Sequence, residues 1–186
     1  LLGALTGVDG RDLATDASNG RALTDYTKAL DPAGLKGARL GVLRRQYEPG
    51  SPMFKVLDEA LDAMRSAGAT IVNELQIPSI DELERPEVLV LLCEFKDEIR
   101  DYLISRGPTE PHKSLADLIR FNQENADVEM PYFGQEWFEA SEVTTGSATP
   151  DYRPALARCK MLSRAMGLDR VLAEYRLDAV IGMASG

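Results

Sequence analysis

Residues that commonly build metal sites and catalytic triads are scarce in this sequence. Its 186 residues include one histidine, His112, and two cysteines, Cys93 and Cys159. A structural zinc ion takes a full shell of Cys and His ligands, so this inventory excludes such a site. A Ser-His or Cys-His mechanism would have to use His112, which lies in the turn-rich loop Gly107–His112. Both cysteines lie on apolar helix stripes, where a thiol usually behaves as a small buried hydrophobe.

Long apolar runs and an excess of basic charge are also missing. The longest apolar run, Val88–Cys93, is far shorter than the roughly 20 residues that a membrane-spanning helix needs. Acidic residues number 30 against 21 basic ones, which gives a net charge of -9. Phosphate backbones are repelled by such a chain, so we expect no nucleic-acid partner. The short apolar runs predict no membrane span.

What is present predicts a folded α/β chain. Hydrophobic residues make up 44% of the sequence and charged residues 27%, as in ordinary globular domains. Ala38–Leu43 is a short apolar run of the kind found in buried strands. Ser51 and Pro52 supply an N-cap and a first-turn proline for an amphipathic helix that ends at Gly68. Ala69–Asn73 follows as a second strand, so the pattern predicts a βαβ crossover on a parallel sheet.

The rest of the chain is predicted to be mostly helical. Ser79 and Glu82 lie at capping-box spacing and open a short helix, and an apolar stripe marks a long helix after it. Ser114 and Asp117 resemble a further helix start. The remaining predicted elements are the long helix Val88–Leu103, the end of the third helix near Asn125, a helix from Gln135 to about Val143, a last helix opened by Thr149–Pro150 and continuing through Leu172, and a final strand Leu177–Gly182.

Both ends of the sequence favour an excised middle or C-terminal piece of a larger enzyme. Leu1–Gly7 has no initiating Met and no basic lead-in, so it resembles the tail of a helix and not a signal peptide. Asp9–Ala33 is polar and aperiodic, as expected of a surface connector. At the other end, the sequence stops directly after the predicted final strand, although a parallel strand normally needs covering helices and neighbouring strands. We expect residues 1–186 to form a single α/β unit within a larger domain.

Few residues are candidates for chemistry. No glycine-rich phosphate-binding motif is present. The charge run on the long helix, Glu94–Asp101, is expected to be a solvated surface. Glu136, Glu139 and Glu142 share a helix face at i, i+3 and i+6 and are best explained as exposed acidic surface. Ser147, in a Thr-rich loop after Gly146, is a weak candidate nucleophile because no base is fixed near it in the sequence.

The most distinctive segment is Met130–Phe138, which holds four aromatic residues in a chain that is only 6% aromatic. Such a cluster can wall an apolar substrate pocket, and the residues we expect there are Tyr132, Phe133, Gln135 and Trp137. The alternative is a loop that the aromatic side chains anchor into the core. Sequence alone does not separate the two interpretations.

The order and the residue sequences of several segments resemble those of the amidase signature family of hydrolases. Leu1–Asp9 with Asp12 is similar to the helix end and aspartate-containing turn that follow that family's serine- and glycine-rich signature. Leu35–Val42 resembles its next strand. Ser114–Asn122 followed by Pro131–Glu136 is similar to a stretch of its bacterial and plant amidases. Asp178–Gly182 resembles a later strand, although Met183 stands where family members often have proline.

The resemblance implies a mixed sheet flanked by helices and the hydrolysis of a carboxamide by a Ser, cis-Ser, Lys triad. The lysine and bridging serine would move protons while the second serine attacks the carbonyl, and backbone amides would form the oxyanion hole. No metal or organic cofactor is implied. The partner implied is a small-molecule amide substrate.

The triad itself does not match any part of this sequence. No Ser-Ser pair and no Gly-Gly-Ser-Ser stretch occurs in residues 1–186. No lysine lies in a sequence context that matches the triad lysine of the family. Under the resemblance, the catalytic residues belong upstream of Leu1, and no catalytic residue is assigned within this chain. The hypothesis is therefore that this chain is a fragment of an amidase that supplies part of the sheet, helices and a pocket wall. On its own, the fragment is expected to have no catalytic activity.

Two rival hypotheses remain. The chain could be a noncatalytic α/β module that binds another protein through uncovered apolar surface. Under any of these hypotheses, an uncovered sheet edge would allow the chain to self-associate. Alternatively, it could be a self-contained serine hydrolase that uses Ser147.

Overall fold

The computed structural model describes residues 1–44, 52–73 and 75–183. The predicted N-cap Ser51 lies outside the described residues. The chain forms two compact units, Leu1–Leu75 with Arg176–Gly186, and Gln76–Tyr175. The helices are α1 (Leu2–Leu5), α2 (Pro52–Ser66), α3 (Ile80–Ser105), α4 (Leu115–Glu124), α5 (Ala126–Glu129), α6 (Glu136–Glu142), α7 (Tyr152–Lys160) and α8 (Asp169–Tyr175), and the strands are β1 (Arg39–Val42), β2 (Thr70–Val72) and β3 (Ala179–Ile181).

The first unit contains a small parallel sheet. Its strand order is β2-β1-β3, with Leu40 opposite both Ile71 and Ala179. Strand β1, helix α2 and strand β2 form the crossover predicted from the sequence, and the predicted final strand pairs on the other side of β1. The α/β class is confirmed, and all three described strands run parallel to one another.

The core of this unit lies between the sheet and α2. Val42, Leu57 and Leu61 form its buried centre. Leu57 and Leu61 are one helical turn apart, so both point from α2 toward the sheet. Burying each leucine contributes about 1.5–3 kcal/mol relative to leaving it exposed. Half-buried hydrophobic side chains surround this centre, namely Phe54, Met64, Ile71, Ile181 and Met183.

The N-terminal stretch of the first unit has the character expected of a connector. After α1 it forms two 3-10 turns, Leu13–Ser18 and Tyr26–Ala29. The carboxylates of Asp12 and Asp25 cap these turns by accepting hydrogen bonds from the backbone N–H two residues later. Many of its large apolar side chains are nevertheless exposed, namely Leu1, Leu2, Leu5, Val8, Leu13, Leu23 and Leu30.

The second unit is helical, and α3 is its longest element. The sequence predicts two helices here, whereas Ile80–Ser105 is one continuous helix that includes Pro86. The predicted cap is also wrong, because the side chain of Ser79 makes no capping hydrogen bond. Its hydroxyl is buried and contacts the carbonyl oxygens of Leu162 and Met166, at 2.7 and 3.0 Å. This contact joins positions more than 80 residues apart, so helix-capping rules could not reveal it.

The last predicted helix is interrupted. Helix α7 continues into a π-helical segment, Met161–Leu168, before α8 begins. Gly167 has non-helical backbone angles within this segment. A Cβ atom at this position would lie 2.3 Å from the carbonyl oxygen of Leu162, so only glycine permits this close approach of the two backbone segments.

Other predicted boundaries of the second unit are confirmed. Helix α4 begins after Ser114, whose hydroxyl accepts a hydrogen bond from the N–H of Asp117, and it ends at Glu124 with Asn125 as its C-cap. Helix α6 is flanked by Gln135 and Val143, as its pattern predicts.

None of the helices within residues 1–44, 52–73 and 75–183 is both long and apolar enough to cross a membrane.

Candidate functional site

A cavity of about 440 Å³ lies beside the aromatic segment between α5 and α6. Three of the four predicted pocket residues, Phe133, Gln135 and Trp137, line it, whereas Tyr132 is not among the described lining residues. Phe133 is 80% exposed and Trp137 60% exposed. The described residues that line it are Asn122, Glu129, Met130, Phe133, Gly134, Gln135, Glu136, Trp137 and Phe138.

The polar side of the cavity is oriented by a pair of amide side chains. Asn122 on α4 donates through Nδ2 to Oε1 of Gln135, at 3.1 Å. Gln135 in turn donates through Nε2 to the carbonyl oxygen of Ile119, at 3.2 Å. These bonds hold Gln135, just before α6, against α4. The second side-chain N–H of each amide and Oδ1 of Asn122 have no hydrogen-bond partner in the described part of the chain. These groups can therefore form hydrogen bonds with a ligand.

The aromatic residues divide between two roles. Phe138 is half-buried and packs against Phe95 of α3, with ring centroids 5.2 Å apart and a tilt of 44°. This contact anchors α6 to α3, as the core-anchor interpretation predicts for the segment. Tyr132, Phe133 and Trp137 are exposed, the arrangement that a pocket wall requires. The core-anchor interpretation therefore holds for Phe138, and the substrate-wall interpretation of the other residues stays a prediction.

The charge on the cavity wall is negative. Glu129, the last residue of α5, and Glu136, the first of α6, both line the cavity and are exposed. Neither carboxylate has an ion-pair or hydrogen-bond partner within residues 1–44, 52–73 and 75–183. No basic side chain is among the described lining residues. An aromatic cavity with two unpaired carboxylates favours a cation over an anion.

The prediction that the charge run of α3 is a solvated surface is wrong for three residues. Glu94, Lys96 and Asp97 are half-buried. Lys96 donates through Nζ to the carbonyl oxygens of Glu142 and Thr144, at 2.5 and 2.9 Å. The reason is that α6 and the segment after it pack over this part of α3, an arrangement that sequence periodicity does not encode. Glu98, Arg100 and Asp101 are exposed as expected.

Tyr152 also contacts this run. Its hydroxyl donates a hydrogen bond of 2.7 Å to Oε1 of Glu94, and this bond raises the pKa of Tyr152.

Glu142, which was expected on an exposed face, also forms an ion pair with Lys96 at 3.2 Å. Glu139 is exposed. The three glutamates of α6 therefore occupy different environments and do not form a shared acidic site.

Ser147 lies in a position unsuited to nucleophilic catalysis. The residue is exposed, and its backbone N–H donates to Oδ2 of Asp97, at 2.8 Å. Hydrogen bonds from Ser147, followed by the nearby Arg100 guanidinium, hold the pKa of Asp97 below its usual value. A carboxylate with a lowered pKa is a weaker general base at neutral pH. Asp97 is therefore a poor partner for activating this serine.

The histidine and cysteines have structural surroundings. His112 is half-buried and lies edge-on to Phe121, with centroids 5.3 Å apart. Cys93 is fully buried, and Cys159 is half-buried. Burial raises the pKa of the Cys159 thiol, which disfavours the reactive thiolate. No group of three or more His, Cys, Asp or Glu residues in the described part of the chain is placed to hold a metal ion.

The sequence resembles known amidases over nearly its whole length. A probable amidase from Arabidopsis thaliana is 35% identical over 191 aligned residues, which cover 100% of this chain and 35% of the relative. A putative amidase from Arthroderma benhamiae is 28% identical, covering 97% and 32%. The chain therefore spans about a third of the length of the curated relatives it matches. No family model matches.

Solved structures give the same result. The native peptide amidase from Stenotrophomonas maltophilia superimposes with a TM-score of 0.85 at 36% identity, covering 97% of this chain and 36% of that one. An amidase family protein from Bacillus anthracis gives a TM-score of 0.75 at 29% identity, covering 95% and 34%. The similarity to amidases predicted from the sequence is confirmed in both sequence and fold.

Proposed function

We propose that this chain, a member of the amidase family in both sequence and fold, is part of a longer hydrolase that cleaves a carboxamide C–N bond. One observation carries the proposal. A single alignment at 35% identity includes the whole chain, and a peptide amidase segment of the same extent has the same fold. The relatives are about three times as long, so the chain corresponds to one third of such an enzyme.

The proposed role of the segment is structural support and a substrate wall. Residues 1–186 would supply the β2-β1-β3 sheet and its covering helices as one portion of a larger amidase domain. Tyr132, Phe133, Gln135 and Trp137 would form part of the wall that holds the non-reacting portion of a small-molecule amide. The cavity beside three of these residues and the fixed orientation of Gln135 support this role.

The proposed reaction is that of a serine hydrolase with a Ser, cis-Ser, Lys triad located outside this chain. The sequence contains no Ser-Ser pair that could match the triad's surroundings. No residue of this chain is assigned an acid, base or nucleophile role. Self-contained catalysis by Ser147 is disfavoured, because its neighbouring carboxylate has a lowered pKa.

A noncatalytic interaction module is the second candidate. The exposed leucines of the N-terminal stretch, including Leu1, Leu13 and Leu30, are the observation that favours it. An apolar surface of this kind fits a partner protein as well as it fits the rest of an amidase. The two candidates differ in whether a protein that carries this segment contains an activated serine.

Reaction with a fluorophosphonate probe, followed by intact-mass analysis, tests the proposal. We expect no adduct on the 186-residue polypeptide. The longer protein that carries it should gain one adduct, on a serine outside residues 1–186, and lose this reactivity after heat unfolding. An unlabelled longer protein would favour the interaction module. A stoichiometric adduct on the 186-residue chain that disappears in Ser147→Ala would establish the self-contained hydrolase instead.

A further inference from the structure

We propose that the cavity beside α6 selects a ligand that carries an ammonium or guanidinium group next to an aromatic or aliphatic body. As a statement about substrate, this inference rests on the proposed function and identifies which amide the pocket prefers. Binding of such a cation is, however, a property of this chain and does not require the triad.

The apolar part of the ligand is recognised by the exposed aromatic side chains. Phe133 and Trp137 are 80% and 60% exposed, and both line a volume of about 440 Å³. A cavity of this volume matches the lower range of small-molecule pockets, about 300–1,000 Å³. The face of an indole attracts a cation as well as an apolar group. Trp137 therefore suits an amphipathic cation.

The positive group is recognised by the two carboxylates. Glu129 and Glu136 line the cavity from α5 and α6 and have no ion-pair partner within the described residues. Many acidic side chains elsewhere in this unit are already paired, as Asp117 is with Arg120 and Glu82 with Arg158. The net charge of -9 adds a favourable long-range field for a cation.

The amide pair provides neutral hydrogen-bonding groups between the apolar and charged parts. Asn122 and Gln135 are bonded to each other, which fixes their orientation. Oδ1 of Asn122 accepts no hydrogen bond from any described residue, so it is open to an ammonium or amide N–H. Aromatic walls, an oriented amide and unpaired carboxylates together describe a site for a cationic amide, such as one derived from a basic amino acid.

Intrinsic fluorescence can test the proposal on the 186-residue chain, because Trp137 is its single tryptophan. The probes are three compounds with the same aromatic body and different charge, namely 2-phenylethylammonium, 3-phenylpropanamide and 3-phenylpropionate. At pH 7 and low salt, we expect the ammonium to bind about fivefold more tightly than the neutral amide, and the carboxylate to bind weakest. Salt at about 0.5 M should remove most of this preference.

Matched variants separate the cavity carboxylates from general surface charge. The double variant Glu129→Gln with Glu136→Gln should bind the ammonium and the neutral amide about equally. Glu139→Gln removes an exposed carboxylate of α6 that does not line the cavity, so it should keep most of the preference. Far-UV circular dichroism and thermal unfolding confirm that each variant is folded.

Several results would overturn the proposal. These are equal binding of all three probes, tighter binding of the carboxylate, no change in Trp137 emission with any probe, or an unchanged preference in the folded double variant. None of them affects the labelling experiment on the longer protein. Conversely, a longer protein without an activated serine would reject the amidase function while leaving cation binding by this chain measurable.

Discussion

The backbone N–H of Ser147 donates a hydrogen bond of 2.8 Å to the carboxylate of Asp97, 50 residues earlier in the chain. The neighbouring residue, Gly146, is buried and adopts a positive φ of +62°. A Cβ atom at Gly146 would lie 2.3 Å from Oδ1 of Asp97. A side chain at position 146 would therefore displace the Asp97 carboxylate from its contact with the turn after α6.

Gly146→Ala is expected to destabilise the protein strongly. The substitution combines an unfavourable positive φ with the displacement of Asp97 from its hydrogen bond, so we expect a loss of about 3 kcal/mol. Urea unfolding followed by circular dichroism measures it. Gly20→Ala is the matched control, because Gly20 also has a positive φ, +71°, but an added Cβ there meets no atom within 4 Å. The control should lose only about 1 kcal/mol. Equal losses in the two variants would contradict the close-approach explanation.

Asp97 is expected to make stability pH-dependent in the acid range. Its pKa is lowered in the folded state by the hydrogen bonds from Ser147 and by Arg100. The stabilisation is therefore fully present above the unfolded-state pKa, about 3.9, and is lost as the pH falls through the lower folded-state pKa. Asp97→Asn should lose about 1 kcal/mol of unfolding free energy at pH 7 and clearly less at pH 2.

Urea unfolding at the two pH values checks this expectation. Asp101→Asn makes the same change of charge at an exposed position on the same helix and should have little effect at either pH. A cost of Asp97→Asn that stays constant between pH 7 and pH 2 would show that the carboxylate's ionised form has no special role.

Two buried serines are expected to respond in opposite ways to replacement by alanine. The hydroxyl of Ser79 bonds to backbone carbonyl oxygens at the interrupted helix, whereas Oγ of Ser141 is buried with no hydrogen-bond partner in the described part of the chain. Ser79→Ala should cost about 1–3 kcal/mol because it leaves buried carbonyls unpaired. Ser141→Ala should be neutral or stabilising by up to about 1 kcal/mol, because it removes an unpaired polar group. Thermal unfolding of the two variants gives the comparison, and a larger loss at Ser141 would refute it.

Helix starts show where sequence analysis succeeds and where it does not. Ser114 and Ser79 have the same pattern, a serine followed three residues later by an acidic residue. Ser114 caps α4, and its partner Asp117 lies within one turn. Ser79 instead bonds to Leu162 and Met166, because α7 and its extension pack against α3. The local pattern is the same, and the distant neighbour decides between the outcomes.

The sequence likewise predicted some features of the candidate site and missed others. The aromatic content of Met130–Phe138 identified the segment, and three of the four residues chosen from it line the cavity. The roles of Phe138 as an anchor and Asn122 as the partner of Gln135 were not predicted, since both depend on helices that meet only in the folded chain. Glu129 and Glu136 gain significance from their position at the cavity wall, which has no signature in the sequence.

The amino-acid sequence by itself determined the α/β class, the β1–α2–β2 crossover, most helix boundaries and the relationship to amidases. These features depend on hydrogen bonds and apolar spacing within short stretches of chain, or on residue order compared directly with relatives. Only the tertiary structure decided which charges of α3 are buried, where the last helix is interrupted, and which side chains surround a cavity. Those features depend on contacts between segments up to 87 residues apart, as between Ser79 and Met166. The free energy of such contacts comes from packing geometry that no local pattern specifies.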